Sequence, residues 1–229
     1  MRVCAVWLGD RPVPYRLAWQ WQQEMVAARL EDPDLPDCLL LLEHPPVYTL
    51  GQGADPRFLH FEPDRPPAGT ECLRIERGGE VTYHAPGQLV GYGILNLRFY
   101  QCDLHWYLRQ LEAVVIGVLE DLGIPAHRQL GKTGVWYGDT KLAQMGIKVR
   151  RWVTMHGFSL NVTMDLGGFG AITPCGLTGV RCGQVTDYIP HGTIAQIRLL
   201  VAQKFADIFE VQVRLHDATM PPTQISSPA

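Results

Sequence analysis

The amino-acid sequence predicts an α+β protein with a mixed, largely antiparallel sheet flanked by helices. Strand-like segments occur in local clusters, three amphipathic helices separate them, and the strict strand-helix alternation of a parallel sheet is missing. With 229 residues, 46% of them hydrophobic and 19% charged, the chain can bury one large core. We therefore expect a single domain over residues 1–216 and a disordered tail over 217–229.

The N-terminal part is predicted to begin with a strand and a helix. Residues 2–9 alternate well enough for a strand, and residues 15–32 follow with helical periodicity. The apolar face expected for this helix consists of Leu17, Trp21, Met25 and Ala28. The run CLLLLEH at 38–44 is continuously apolar and is followed by two prolines, which is typical of a buried strand.

Residues 72–97 predict three strands joined by tight turns. A Gly-Gly pair and a Pro-Gly pair interrupt the strand-like stretches of CLRIERGGEVTYHAPGQLVGYGILNL, and this pattern favours antiparallel hairpins. Residues 51–70, which are rich in Pro, Gly and Asp, are expected to form a loop before them.

Residues 103–123 form the clearest predicted helix, which Asp103 can cap and Gly123 can end. Its expected core face consists of Leu104, Tyr107, Leu108, Leu111, Val115, Val118 and Leu122. Residues 134–162 predict further strands with a turn at Gly138-Asp139. A last helix over 192–211 and a strand at 212–216 complete the expected elements.

Composition and charge argue against several function classes. A net charge of −3 without a basic stripe is unlike a nucleic-acid-binding protein. The N-terminus turns polar after Leu8, and no stretch approaches the ~20 apolar residues of a membrane span, so we expect a cytoplasmic protein without membrane contact. The six cysteines form no CxxC pair and the histidines no HExxH motif. We therefore expect reduced thiols and no metal site.

The segment AHRQLGKTGVW, at 126–136, comes close to a phosphate-loop pattern, with Ala126 in place of the first glycine. A phosphate loop leaves a buried strand and opens a helix whose N-terminus holds the anion. This segment instead follows a predicted helix and runs into a predicted strand, which argues against a nucleotide site.

The segment RGGEVTYHAPGQ, from Arg77 onward, has two interpretations. Gly78 and Gly79 can let the backbone approach a ligand closely, or they can simply form a hairpin turn. His84 can orient a polar substrate group, although a lone histidine is more often a hydrogen-bonded core residue. The residues alone do not decide between these interpretations.

Cys175 stands out among the six cysteines as the candidate nucleophile. Pro174 and Gly176 flank it, which predicts a sharply bent loop that presents its side chain. Cys4 and Cys38, in contrast, lie in apolar strand-like runs, where an inert buried thiol is the usual role. Cys182 can act as a resolving thiol or simply pack in the fold.

A nucleophilic cysteine needs a neighbouring cation, a helix N-terminus or a base that favours its thiolate. Lys141 follows a Gly-Asp turn and precedes the apolar LAQMGI, an unusual place for a lysine if the segment is buried. The sequence pattern alone does not bring residue 141 next to residue 175.

Three ordered blocks over residues 77–179 carry a family resemblance. RGGEVTYHAPGQLVGYGILNL, GKTGVWYGDTKLAQMGIKVRRWVTMHGFSLNV and ITPCGLTG resemble the signature blocks of the lipoyl(octanoyl) transferases, and EHPPVYTLG at 43–51 also matches. The resemblance implies a biotin/lipoate protein ligase-like fold. It also implies octanoyl transfer from octanoyl-acyl carrier protein to a lysine of lipoyl domains, with no cofactor.

The acceptors implied are the lipoyl domains of 2-oxoacid dehydrogenase complexes and the glycine cleavage H protein. Cys175 matches the family's acyl-accepting cysteine, and Lys141 matches the lysine thought to lower the pKa of that cysteine. The implied substrate-binding residues are Arg77, Gly78, Gly79, Glu80, Val81, Thr82, Tyr83, His84, Gln144, Met145, Gly146, His156, Gly157, Phe158 and Ser159. Two positions depart from the family pattern: Ala85 replaces a glycine, and Gln144 replaces a small residue.

Two alternatives remain open at this point. A lipoate or biotin ligase on the same fold activates its acid with ATP and needs no nucleophilic thiol, so Cys175 argues against it. A non-catalytic module that only binds acyl or lipoyl partners needs neither Cys175 nor Lys141, and both are present.

Overall fold

The computed structural model describes residues 1–176 and 179–225, and for Cys175 only the backbone. The helices are α1 (Tyr15–Glu31), α2 (Leu104–Asp121), α3 (Ile194–Phe209) and α4 (Pro222–Ile225). The strands are β1 (Val3–Leu8), β2 (Asp37–Leu42), β3 (Val47–Leu50), β4 (Glu71–Arg74), β5 (Val81–His84), β6 (Gln88–Ile94), β7 (His127–Gln129), β8 (Lys132–Tyr137), β9 (Thr140–Arg150), β10 (Val153–Asn161), β11 (Arg181–Cys182) and β12 (Gln212–His216).

The strands form two sheets. The large sheet has the order β12-β1-β2-β6-β10-β9-β8-β7, and β11 pairs with β9 beside this path. Strand β1 is parallel to β12 and β2, and β11 is parallel to β9, whereas the other pairs of this sheet are antiparallel. The small sheet has the order β4-β3-β5. These pairings confirm the predicted mixed, largely antiparallel sheet with flanking helices.

The large sheet is covered on both faces, as the continuous apolar run of β2 predicts. Leu39 and Leu41 point into the core under α2 and α3, and Leu40 and Leu42 point into the core under α1. Successive side chains of a strand point to opposite faces, so only a strand buried on both sides needs an uninterrupted apolar run.

The buried face of α1 differs from the predicted one. Leu17 is 40% exposed, whereas Gln22 and Arg29 are buried. Gln22 Oε1 accepts a hydrogen bond from the backbone N–H of His156, and Arg29 donates to the carbonyl oxygens of Met25 and Pro36. Apolar periodicity missed this face because two polar side chains lie on its inner side and are stabilised there by hydrogen bonds.

The ends of α2 and α3 agree with the sequence prediction. Asp103 caps α2 by accepting hydrogen bonds from the backbone N–H groups of His105 and Trp106. Tyr107, Leu111, Val115 and Val118 lie in the core as predicted, although Leu104 is exposed. The predicted strand after α3 is β12.

The hairpins predicted within residues 72–97 are wrong. Strand β3 lies between β4 and β5, and β6 belongs to the large sheet, so consecutive strands here do not pair with each other. The Gly78-Gly79 segment instead approaches β9, where Gly78 N–H donates to the carbonyl oxygen of Ile147 at 2.9 Å. Local turn residues cannot show which strand a segment will pair with. The predicted turn at 138–139, by contrast, does join the antiparallel strands β8 and β9.

The segment 217–225 packs on the protein, where the sequence predicted disorder. Trp7 Nε1–H donates to the carbonyl oxygen of Met220 at 2.9 Å, and Ile225 of α4 is buried in the core beside α1. Residues 226–229 lie outside the described ranges, and the single domain over 1–216 stays a prediction. Among the described helices, none combines the length and apolar character that crossing a membrane requires.

Candidate active site

A cavity of about 340 Å³ opens where β5, β6, β9 and β10 meet. The substrate-binding residues implied by the sequence all line it except Tyr83. Tyr83 lies on the opposite face of β5, where its ring packs 4.8 Å from that of Tyr48 and 5.7 Å from that of Phe169. Strand alternation places Thr82 and His84 on the cavity side and Tyr83 away from it.

Sequence reasoning missed several lining residues. They are Tyr15, Val90, Tyr92, Leu108, Gly131, Lys132, Thr133 and Ile147. The signal for residues 131–133 was present as the Gly-Lys-Thr of the rejected phosphate loop. The structure confirms that no helix follows this segment, because residues 127–137 form the hairpin of β7 and β8. Its lysine nevertheless reaches the cavity.

A bulge in β9 turns Lys141 toward the cavity. Trp136 of β8 pairs with Lys141, but Val135 pairs with Ala143, so Leu142 is an extra residue in β9. Leu142 and Ala143 consequently both point into the core under α2 and α3, and Lys141 and Gln144 line the cavity. In a regular strand of the same sequence, without the bulge, Lys141 would share the core face of Ala143.

Lys141 is 2% exposed, and its ammonium nitrogen lies 5.3 Å from the ring centroid of Trp136. The neighbouring backbone is supported by Glu112 of α2, which is fully buried. Glu112 Oε1 accepts a hydrogen bond from Gly134 N–H at 3.0 Å, and its Oε2 pairs with Arg109 and Arg128. Because its carboxylate is paired, Glu112 can hold β8 against Lys141 without an uncompensated buried charge.

The turn that carries Cys175 is anchored beside the same cavity. Its backbone, a single turn of 3-10 helix over Pro174–Gly176, packs against β5. Thr173 N–H donates to the carbonyl oxygen of Phe58 at 2.8 Å. A β-carbon on Gly176 would lie 3.2 Å from Cγ of Glu80, which lines the cavity. The predicted role of the Cys175 side chain itself lies outside the described residues.

The strand after this turn runs along Lys141. Cys182 of β11 pairs with Lys141, and Gly183 N–H donates to the Lys141 carbonyl oxygen at 3.0 Å. The carbonyl oxygen of Gly183 in turn accepts a hydrogen bond from Asn161 Nδ2, and Asn161 Oδ1 accepts one from Gln88 Nε2. Gly183, the residue after β11, is thereby held by buried side-chain amides of β6 and β10.

Two buried histidines, His84 and His156, line the cavity, and the ring of a third, His44, lies 5.8 Å from that of His84. Burial lowers the pKa of His44 to about 4 and the pKa values of His84 and His156 to about 3. All three are therefore neutral at neutral pH. In His84, Nδ1–H donates to Gln88 Oε1 at 2.6 Å, which leaves Nε2 as the nitrogen with the lone pair. His84 can thus accept a hydrogen bond from a bound group, and it is at the same time a buried, hydrogen-bonded residue of the cavity wall, so its role in the site stays a prediction.

His156 occupies a strained position within β10. Its φ of +60° lies in the left-handed region, which is costly for a residue with a β-carbon. Its ring is 1% exposed, and neither ring nitrogen has a hydrogen-bond partner among the described residues. Glu76 Oε1 lies 4.0 Å from Nε2. Strain and buried polar nitrogens at a cavity wall are typical of a ligand site.

Gln144 and Thr82 add further buried polar atoms to the cavity wall. Gln144 Oε1 accepts a hydrogen bond from Ser159 Oγ–H at 2.9 Å, but Gln144 Nε2 has no partner within the described part of the chain. The same holds for Thr82 Oγ1. Unpartnered groups of this kind can receive a hydrogen bond from, or give one to, a polar atom of a ligand.

Two other cysteines have the inert environment expected from sequence. Burial raises the pKa of the Cys38 thiol to about 12, and burial together with the nearby Cys38 raises the pKa of the Cys4 thiol well above its ordinary value. A raised thiol pKa lowers the fraction of the reactive thiolate. For metals, the described residues contain no cluster of three His, Cys, Asp or Glu side chains that could hold an ion.

Known proteins match this chain over most of its length. The family of lipoyl protein ligase A/B catalytic domains matches residues 14–206. The octanoyltransferase of Gloeobacter violaceus is 55% identical over 200 residues, which cover 87% of this chain and 88% of that protein. The octanoyltransferase of Synechococcus elongatus is 51% identical over 215 residues, covering 93% and 91%.

Several solved structures share the fold of this chain. A lipoate protein ligase from T. acidophilum with bound lipoic acid superposes with a TM-score of 0.77 at 17% identity, covering 99% of this chain and 93% of that one. Lipoate-protein ligase A bound with ATP gives a TM-score of 0.72 at 16% identity, with the same coverage. These likenesses confirm the predicted ligase-like fold.

Proposed function

Because the chain belongs to the octanoyltransferases of the lipoyl protein ligase A/B catalytic family, we propose that it moves an octanoyl group through a thioester on Cys175. It is an acyltransferase of protein lipoylation. The proposed donor is octanoyl-acyl carrier protein. The proposed acceptors are lysines of lipoyl domains in 2-oxoacid dehydrogenase complexes and of the glycine cleavage H protein.

One observation carries the proposal. Lys141 is buried in a cavity whose wall includes β5, and the turn over Pro174–Gly176 packs against that same strand. A buried ammonium near a thiol favours the thiolate, which is the nucleophilic form. Apolar residues of the wall, including Val90, Leu108 and Phe158, suit a short acyl chain.

The proposed reaction has two steps. In the first, Lys141 takes the thiol proton or holds the thiolate as a cation, and Cys175 sulfur attacks the carbonyl carbon of the donor thioester. The bond to the carrier's sulfur breaks, and the carrier thiol leaves with a proton. One thioester replaces another, so this step is close to balanced in free energy and requires no ATP.

In the second step, the amine of the acceptor lysine attacks the carbonyl carbon of the thioester on Cys175. The carbon–sulfur bond breaks, an amide forms, and Lys141 accepts the proton that the amine loses. The amide is more stable than the thioester, which drives the transfer. The neutral imidazole of His84 can accept a hydrogen bond and orient the reactants without adding charge to the cavity.

Backbone N–H groups of the glycine-rich segments are the proposed donors to the tetrahedral oxyanion, each typically worth ~3 kcal/mol. Gly78 N–H is engaged by the carbonyl oxygen of Ile147 and is therefore not one of them. We also propose a cytoplasmic location, since a reducing compartment keeps a nucleophilic thiol in its reduced form and Cys4, Cys38, Cys72 and Cys102 are free thiols.

Intact-mass measurement tests the proposal. Incubation with octanoyl-acyl carrier protein should add one octanoyl group to the protein, and Cys175→Ala should abolish the addition. Cys182→Ala and Cys72→Ala are matched controls that should keep it. An unchanged adduct on Cys175→Ala would overturn the assignment, and transfer from free octanoate only in the presence of ATP would favour a ligase instead.

A further inference from the structure

The turn between β7 and β8 places exposed side chains at the mouth of the cavity. Leu130 is fully exposed, and Lys132 and Thr133 beside it are exposed as well. Gly131, Lys132 and Thr133 also line the cavity. We call residues 130–133 the rim turn. A fully exposed leucine contributes little to the packing of the fold, so the apolar side chain of Leu130 is available to a molecule that docks at the cavity mouth.

The cation of the rim turn lies close to the reaction centre. Lys132 Nζ and Lys141 Nζ each lie 5.3 Å from the ring centroid of Trp136. The two ammonium nitrogens are therefore at most twice that distance apart. Within the ranges 1–176 and 179–225, the ion pairs involve other residues and none neutralises Lys132. Lys132 is thus a positive charge that a partner can reach.

The short distance between Lys132 and Lys141 indicates which of the two protein substrates, the acceptor protein or the acyl carrier protein, contacts the rim turn. If Lys141 accepts the proton of the incoming amine, that amine lies beside Lys141, and an extended lysine side chain spans only about 6 Å. The acceptor's backbone must then come as close to Lys141 as the rim turn does. The acyl group of the carrier protein hangs on a much longer pantetheine arm, so the carrier's surface can stay farther away.

We propose that the rim turn is the docking surface for the lysine-bearing turn of the acceptor protein. A carboxylate next to the acceptor lysine pairs with Lys132, and an apolar side chain of the acceptor covers Leu130. This inference rests on the proposed function, because it takes Lys141 as the group that meets the acceptor amine. Lys132 then discriminates against lysines that lack an acidic neighbour, because the two ammonium groups would repel each other without compensation.

The experiment separates the two half-reactions with octanoyl-acyl carrier protein as donor and an isolated lipoyl domain as acceptor. Leu130→Asp should form the octanoyl-enzyme at the wild-type rate, measured by intact mass. Single-turnover transfer from that octanoyl-enzyme to the lipoyl domain should fall roughly ten-fold or more. Leu199→Asp, at a half-exposed leucine of α3, is the matched control and should change neither step.

An exchange of charges between the two proteins tests whether Lys132 pairs with a carboxylate of the acceptor. Lys132→Glu should raise the KM for the lipoyl domain, and a lipoyl domain in which the acid beside the target lysine is changed to lysine should restore transfer to this variant. Arg150→Glu is the control, because Arg150 is exposed at the far end of β9, about 30 Å along the strand from Lys141. Arg150→Glu should not raise the KM for the lipoyl domain, and the altered lipoyl domain should not improve transfer by this variant.

Three results would overturn the docking assignment. Equal slowing of acylation and transfer in Leu130→Asp would assign the rim turn to the carrier protein. Unchanged transfer in both rim-turn variants would remove the docking role. A wild-type protein that forms no octanoyl-enzyme would refute the thioester route of the proposed function, and the inference with it. Because acylation is measured on the same samples, it also shows that the variants are folded.

Discussion

Gly134 of β8 lies so close to Lys141 that no β-carbon fits between them. A β-carbon on Gly134 would come within 2.5 Å of Lys141 Cε and 2.7 Å of the carbonyl oxygen of Ala143, and the φ of Gly134 is +135°. The position of the proposed catalytic ammonium therefore depends on a glycine seven residues earlier in the chain, across the β8–β9 pair.

Gly134→Ala should slow formation of the octanoyl-enzyme roughly 100-fold, because displacing Lys141 by about 1 Å spoils its alignment with the thiol. Gly138→Ala is the matched control. Gly138 also has a positive φ, +53°, but a β-carbon there meets nothing within 4 Å. Both variants should lose stability in urea unfolding, and only Gly134→Ala should lose the acylation rate. Equal rates in the two variants would mean that the close contact has no catalytic role.

Lys141→Met should lower the rate of octanoyl-enzyme formation by about 10²–10⁴-fold, the usual effect of removing an acid–base group. Alkylation of Cys175 by iodoacetamide, followed against pH, measures the cause directly. Without the buried cation, the midpoint of alkylation should move to higher pH. Lys204→Met, at a lysine on α3 paired with Asp121, should not change the pH midpoint of alkylation. An unmoved profile in Lys141→Met would contradict the proposed role.

Gln144→Ala should shift the acyl preference toward longer chains. The Gln144 side chain lines the cavity, and its truncation enlarges the space available to the acyl group. The kcat/KM ratio of decanoyl to octanoyl donor should rise roughly ten-fold, as expected when a pocket admits further methylenes. Ser159→Ala removes the hydrogen bond to Gln144 but little volume, so it should not shift this ratio. A ratio that is the same in both variants would show that Gln144 does not limit chain length.

Thr82 and Tyr83, neighbours on β5, should respond differently to substitution. Thr82→Val replaces a hydroxyl whose oxygen has no partner among the described residues at the cavity wall, and the KM for the donor should change. Tyr83→Phe alters a side chain on the other face of the strand, and steady-state kinetics should remain those of the wild type. The reverse pattern would place the substrate on the Tyr83 side of β5.

The buried histidines predict acid sensitivity. Since the folded-state pKa values of His44, His84 and His156 lie at about 3 to 4, the unfolded chain binds protons that the folded protein cannot bind once the pH falls below about 6.5. Stability is therefore complete above this value and is lost progressively as the pH falls toward about 3. At about pH 5, each histidine lowers the free energy of unfolding by at most about 2 kcal/mol.

Urea unfolding at about pH 7 and pH 5 checks this expectation. His156→Asn removes one of the three groups and should reduce the pH dependence by up to about a third. His105→Asn, at an exposed histidine, should leave it unchanged. If the free energy of unfolding is the same at both pH values, the three histidines do not remain neutral in the folded protein.

The sequence predicted correctly those features that depend on neighbours along the chain. The continuous apolar run of β2, the Asp103 cap of α2 and the turn at 138–139 are local patterns, and the structure confirms them. The substrate-binding residues implied by the family blocks line the cavity apart from Tyr83, but eight further lining residues were not predicted. Residues 131–133 carried a signal as well, but without the fold it could be assigned only to a phosphate loop.

Only the tertiary structure decided which faces these elements present. The inward position of Gln22 depends on the backbone of His156, and the order β4-β3-β5 depends on pairing between segments that are not adjacent along the chain. Above all, one extra residue in β9 turns Lys141 from the core to the cavity. A strand has a period of two, so its local pattern determines that side chains alternate. The register with neighbouring strands determines which of them reach the site, and it is set by contacts between residues far apart in the sequence.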